Sequence, residues 1–219
     1  EHGLSCHSSI SCMRNYLVKT PRLLKVAYGN CIWHIKSHAN SVYLTFDDGP
    51  HPIITPFVLQ QLKKYNAKAT FFCIGKNVVE YPDIYQQILE EGHSVGNHTH
   101  NHLNGWKTEN IVYYKNIKIA SKYIDTRLFR PPYGRITHAQ SFAINRLFPQ
   151  TKIIMWDVLS GDFDIHLSPE DCLSNVLNTT QAGSIVVFHD SEKAWDRLQY
   201  TLPKFLQYCT EKQWKMKKL

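Results

Sequence analysis

The chain has 219 residues, enough for one domain with a substantial core that needs no disulfide support. No stretch approaches the roughly 18 uninterrupted apolar residues of a membrane-spanning helix, and no basic region followed by an apolar run and a small-residue cleavage site marks a secretory leader, which leaves the compartment open between cytoplasm and cell envelope. The net charge of +7 permits an anionic partner without demanding one, because much of the excess sits at Lys212, Lys215, Lys217 and Lys218, where a solvated chain end is the commoner reason.

Residues 1–12 are polar and aperiodic and are expected to be a non-native or disordered leader, with Met13 as the native start. Residues 13–40 form a lead-in segment whose Leu17, Leu23, Leu24, Val26, Ile32, Trp33 and Ile35 are expected to pack on the core of a domain spanning residues 41–219. None of the six cysteines, Cys6, Cys12, Cys31, Cys73, Cys172 and Cys209, belongs to a Cys-x-x-Cys pair. They fit a reducing environment better than a disulfide framework, and Cys73, inside the apolar run 70–74, is expected to be buried and inert.

The first strand is expected where Val42, Leu44 and Phe46 alternate with Ser41, Tyr43 and Thr45. Asp47-Asp48 ends it and Gly49-Pro50 turns the chain away. Helical spacing follows over 54–65, an extended run over 68–74, a proline-led helix over 82–91 and a short strand over 93–96. Beyond these come a helix over 108–125 with Thr108 as its cap, an extended run over 128–130 stopped by Pro131-Pro132, a helix over 137–147 and one apolar strand over 152–158. Ser168-Pro169-Glu170 opens another helix, 184–188 is a buried strand, 192–210 is mostly helical and 213–217 is a last strand. About seven strand-then-helix units without a linker predict a single α/β domain with a parallel sheet, either open and doubly wound or closed into a barrel.

Polar residues gather just beyond five of these strands: Asp47 and Asp48, residues 98–102, Arg130, Asp157 and Asp162, then His189 and Asp190. In a barrel of parallel strands those ends converge on one face, where such folds assemble active sites. Two adjacent carboxylates repel unless a cation relieves them. His98 and His102, four apart, can meet one ion if their segment turns helically, and one carboxylate with two imidazoles suits Zn²⁺, with Co²⁺, Ni²⁺ or Fe²⁺ as alternatives. His100 falls on the other side of such a turn and is read as a rim residue, and His51 and His93 are read as rim or packing residues. Trp106, Tyr113 and Tyr114 could offer stacking surfaces to a ligand, although aromatics near helices are more often core.

Thr45-Phe46-Asp47-Asp48-Gly49-Pro50, His98-Thr99-x-x-His102, Arg130-Pro131-Pro132-Tyr133, Asp162-Phe163 and Val187-Phe188-His189 together resemble, in order, the five motifs of the polysaccharide deacetylases, carbohydrate esterase family four with its NodB-homology domain. The resemblance runs from about Val42 to the end of the chain. It implies a distorted (β/α)7-type barrel and a metal-dependent hydrolase of carbon–nitrogen bonds other than peptide bonds, one that removes acetyl groups from N-acetylglucosamine in a peptidoglycan or chitin-like polymer. O-acetyl ester hydrolysis on acetylated xylan is the alternative within that class, and a carbohydrate-binding protein that keeps the metal site without turnover is the alternative outside it.

By position, the resemblance assigns Asp48, His98 and His102 to one divalent metal, Asp47 to the general base and Arg130 to holding that base. His189 would be the general acid tuned by Asp162, and the backbone N–H of Tyr133 an oxyanion donor, with Pro132, Phe163 and Val187 lining the substrate pocket. Phe163 stands where the family usually has Trp, and Val187 where it usually has Leu, so the apolar character is kept while the shape changes. Asp157 competes with Asp162 for its carboxylate role. The expected protein is a monomer whose partner is an acetylated glycan, without nucleic acid.

Overall fold

The computed structural model describes residues 16–36 and 40–219; the expected leader and the start at Met13 lie outside them. The eight parallel-paired strands among the described residues are β1 (Ser41–Asp47), β2 (Thr70–Cys73), β3 (Ser94–Asn97), β4 (Leu128–Phe129), β5 (Lys152–Ile153), β6 (Val158–Leu159), β7 (Ile185–His189) and β8 (Lys215–Lys217). Among the described residues eight α-helices surround them: α1 (Arg22–Ala27), α2 (Ile54–Lys64), α3 (Gly75–Glu80), α4 (Pro82–Glu90), α5 (Asn110–Ala120), α6 (His138–Leu147), α7 (Pro169–Thr179) and α8 (Trp195–Glu211). The sheet runs β5-β4-β3-β2-β1-β7-β6, with β8 added beside the first half of β1. It curls into the distorted barrel that the motifs imply.

All seven residues of β1 are buried, because both its faces are covered. Val42, Leu44 and Phe46 face outward into a core shared with Val58 and Leu62 of α2 and with Leu202 and Phe205 of α8. Tyr43 faces inward with Phe72, Ile154 and Ile185. Thr45 and Asp47 share that inward face, and a single guanidinium nitrogen of Arg130 bonds both. An interior narrow enough for one Arg to reach two positions of β1 is what brings the strand-end polar groups together.

The run 152–158, expected as one strand, is two. Lys152 and Ile153 pair with β4 at one edge of the sheet, while Val158 and Leu159 pair with β7 at the other. The chain between them crosses the opening of the barrel, so its apolar sequence reflects burial on a seam rather than continuous pairing. The lead-in segment fills this seam: Ile32 bridges Ile154, His34 bridges Ser184 and Lys19 bridges Val158. Only part of its apolar set packs, however. Trp33 is buried, whereas Leu17, Leu23, Leu24 and Val26 are exposed and α1 buries none of its residues.

Local signals are mostly met. Ser168 accepts from the amide of Asp171 at the start of α7, and Thr137 and Gln140 form a reciprocal capping box on α6. Thr108 does not cap α5; its hydroxyl donates to the carbonyl of Asn104 and the helix begins at Asn110 without a side-chain cap. Two short helices, α1 and α3, were not expected from periodicity. Cys31, Cys73, Cys172 and Cys209 are free and buried, and burial pushes the Cys73 thiol pKa well above its ordinary value, as befits an inert core thiol. No helix among the described residues is long and apolar enough to cross a membrane.

Candidate active site

The C-terminal ends of β1, β3 and β7, with the loop after β4, bring most of the expected site residues together. Asp47 and His189 are register partners on neighbouring strands, so the two stand side by side at one height. Asp47 Oδ1 is 2.7 Å from Nη1 of Arg130, whose other donors go to Thr45 Oγ1 and to the carbonyls of Ile154 and Met155. The fully buried guanidinium also lies 4.1 Å from the centre of the Phe72 ring. Arg130 is therefore immobilised on every side, and Asp47 Oδ2 is left facing the site, 4.0 Å from His98 Nε2.

Asp48, His98 and His102 offer ligand atoms that all lie within 4.8 Å of one another. Asp48 Oδ1 is 3.1 Å from His102 Nε2 and 3.7 Å from His98 Nε2. It is buried, yet accepts no hydrogen bond of proper geometry. Such an orphaned carboxylate oxygen facing two imidazole nitrogens fits a divalent cation. His98 Nδ1 is 2.8 Å from the carbonyl of Arg130, which turns Nε2 toward the site. Burial lowers the His98 pKa to about 4 despite the nearby Asp47 and Asp48, so the ring is neutral at pH 7, as a ligand must be. Burial works against the charge on Asp48, but His102, His189 and His98 outweigh it and hold its carboxyl below the usual range.

The two histidines meet without a helical turn. Residues 98–102 form a loop in which Thr99 and His102 have φ values of 63° and 54°. Asn116 of α5 holds it by accepting the amides of His100 and Asn101, and Asn97 accepts the amide of Thr99. Asp48 and Tyr133 are also left-handed, at 83° and 59°, so among the described residues four of the seven non-glycine residues with positive φ cluster here. Backbone strain of this kind marks a site that its surroundings over-determine.

His189 Nδ1 is 2.7 Å from Asp162 Oδ1, and the His189 amide donates to Oδ2 at the same distance. Burial opposes the imidazolium, but Asp162 outweighs it and raises the His189 pKa to about 9. The Asp162 carbonyl is in turn held by Arg197 of α8 at 2.6 Å. Asp157 lies at the opposite end of β7, bonded to Ser184 and ion-paired with Lys19 and Lys25. It anchors the lead-in segment, and Asp162 alone reaches His189.

The remaining expected residues fall around this centre. The ring of Tyr133 lies 4.5 Å from that of His102, and its amide donates to no protein acceptor among the described residues. Phe163 meets His189 edge-on at 5.3 Å. Pro132 is buried, and Val187, 1% exposed, lies beneath His189 on the inward face. His100 turns away from the site and stacks on Tyr123, His51 caps the start of α2, and His93 accepts the amide of Ala69 inside the core.

Sequence reasoning placed Asp190 nearby but gave it no task. Its fully buried carboxyl group accepts the amide of Gly49 and the hydroxyl of Thr55, and so clamps the turn that presents Asp48. Burial, with the charge of Asp48 added, raises its pKa to about 8. Asn77 secures the same turn through the carbonyl of Asp48 at 2.7 Å. No spacing rule finds either contact, since both depend on how β7 and α3 pack against the turn.

Residues 34–147 match the family model described as polysaccharide deacetylase. The chain is 34% identical over 167 residues to a peptidoglycan-N-acetylglucosamine deacetylase of Bacillus cereus, covering 74% of this chain and 78% of that protein. It is likewise 34% identical over 165 residues to a chitooligosaccharide deacetylase of Azorhizobium caulinodans, covering 71% and 76%. Among solved structures, a peptidoglycan N-acetylglucosamine deacetylase in complex with a naphthalenyl N-oxidanyl-benzamide superposes with a TM-score of 0.80 at 29% identity, over 91% of this chain and 95% of that one.

Proposed function

Because the chain belongs to the polysaccharide deacetylase family, we propose that it is a metal-dependent hydrolase that removes the acetyl group from N-acetylglucosamine units of a glycan. The observation that carries this reading is the pairing of a carboxylate and a protonated histidine, Asp47 and His189, as register partners flanking the Asp48, His98 and His102 cluster. A binding protein needs the cluster and a groove, but has no use for a base locked by Arg130 beside an acid locked by Asp162.

A divalent cation held by Asp48, His98 and His102 would polarise the acetyl carbonyl and lower the pKa of an attacking water from 15.7 to about 7. Zn²⁺ is the ion best suited to that donor set. Asp47 Oδ2 takes the proton of the water as its oxygen bonds to the acetyl carbon, while Arg130 keeps the carboxylate from turning away. The unspent amide of Tyr133 donates to the oxygen that gains negative charge. His189 then gives its Nε2 proton to the sugar nitrogen as the carbon–nitrogen bond breaks, and acetate and a free amine leave. Its pKa of about 9 keeps His189 protonated at neutral pH, ready for that last step.

Acetate release from chitooligosaccharide, peptidoglycan and acetylxylan, each with and without a chelator, tests the proposal. Release from the first two that stops on metal removal and returns with Zn²⁺ is expected. Equal activity after full metal removal defeats the metal role, and binding without release from any of the three favours the carbohydrate-binding alternative.

A further inference from the structure

Resting on the deacetylase reading, we infer that Trp106 and Arg135 form a subsite beside the reaction centre for a carboxylate-bearing sugar of the same glycan. The loop that supplies His102 continues to Trp106, and the loop that supplies Tyr133 continues to Arg135. Four and two residues of chain can span at most about 14 and 7 Å, so both side chains stand close to the site. The two loops are joined there: the Trp106 indole nitrogen donates to the carbonyl of Ile136 at 3.0 Å, and the Arg135 guanidinium lies 4.2 Å from the centre of the indole ring.

Two features of the pair point to a ligand. Trp106 is 55% exposed although its one donor is spent and its orientation fixed, so its ring is a rigid apolar plate open to solvent. Arg135 is exposed, and among the described residues its side chain makes neither an ion pair nor a hydrogen bond. Its contact with the indole is a cation–π stack, which holds the planar fork in place while leaving all five N–H donors unspent. A fork held in this way suits a bidentate carboxylate. The open indole suits the apolar face of a pyranose ring, and one ligand that offers both is a sugar bearing an acidic substituent. Tyr133, two residues before Arg135 and 60% exposed, has its ring 4.5 Å from that of His102 and so links the Arg135 loop to the Asp48, His98 and His102 cluster.

The test compares a peptide-free strand alternating N-acetylglucosamine with N-acetylmuramic acid against the same strand with its carboxyl groups reduced to alcohols. The ratio of kcat/KM values for acetate release is measured on wild type, Arg135→Gln, Trp106→Ala and Trp106→Phe. Wild type is expected to favour the carboxylate strand about tenfold, equivalent to about 1.4 kcal/mol, and R135Q to bring the ratio near one. W106A is expected to raise KM on both strands, with W106F, which keeps a ring, falling between. Melting curves confirm that each variant is folded. A wild-type ratio near one, or a ratio that survives R135Q, overturns the subsite and leaves the deacetylase reading intact. If no strand releases acetate, that reading fails, and calorimetric binding of the same two strands still decides: carboxylate-selective binding lost in R135Q supports the subsite, and equal affinity overturns it.

Discussion

Replacing Asp162 with Asn removes the charge that keeps His189 protonated while preserving size. With a pKa of about 9, His189 is ~90% imidazolium at pH 8. Without Asp162 the ring returns to its ordinary pKa of about 6.5, or lower because of its burial, and only ~3% remains charged at that pH. The acid form is therefore depleted about thirtyfold, and the alkaline limb of kcat moves down from near pH 9 toward 6.5. A cation facing Asp48 cancels part of the carboxylate field at His189, so the wild-type limb lies at or somewhat below 9. Stability follows the same sign. A folded pKa raised above the unfolded one contributes stability in full below about pH 6.5 and loses it as pH rises through about 9, on the order of 3 kcal/mol. The assay is acetate release against pH on saturating chitooligosaccharide, with melting temperature followed over the same range. D162N is expected to lose the alkaline activity and to flatten the fall of melting temperature between pH 6.5 and 9. Superimposable limbs in the two proteins would refute the role assigned to this pair.

Asp48→Asn is expected to lower Zn²⁺ affinity at least tenfold, read by competition with a chromophoric chelator, because the orphaned Oδ1 loses its charge. Arg130→Ala leaves Asp47 buried without its partner and is expected to cost about 3–5 kcal/mol in denaturant unfolding, enough to endanger the fold. A Cβ at Gly49 would collide with the Asp190 carboxyl group, so Gly49→Ala should destabilise the protein and displace Asp48. Adding Asp190→Ala should recover part of the loss, and strict additivity in the double-mutant cycle would contradict the clamp. Asp157→Ala is expected to lower the melting temperature while leaving kcat within a factor of two, since it anchors the lead-in segment away from the site.

What the sequence made legible was whatever depends on short spacing. The alternation in β1, the cap at Ser168 and the motif order from Asp47 to His189 are local, and each stands in the structure where it was expected. What it hid depends on where two distant segments meet. Residues 152–158 read as one strand because burial at a barrel seam and burial in a sheet leave the same apolar pattern, and only the pairing partners separate them. Asp157 read as a site residue because it follows an apolar run, yet that run crosses the barrel, and Asp157 emerges at the end opposite His189. The i, i+4 histidines read as a helical turn, but β3 ends at Asn97 and the loop is fixed by Asn116, eighteen positions beyond His98 on another element. A strained loop gives what a regular turn would not. It aims both Nε2 atoms at Asp48 Oδ1 and carries the chain on to Trp106, whose indole is tied to the carbonyl of Ile136, so the irregularity that defeated the periodic reading is also what joins the proposed metal ligands to the proposed subsite.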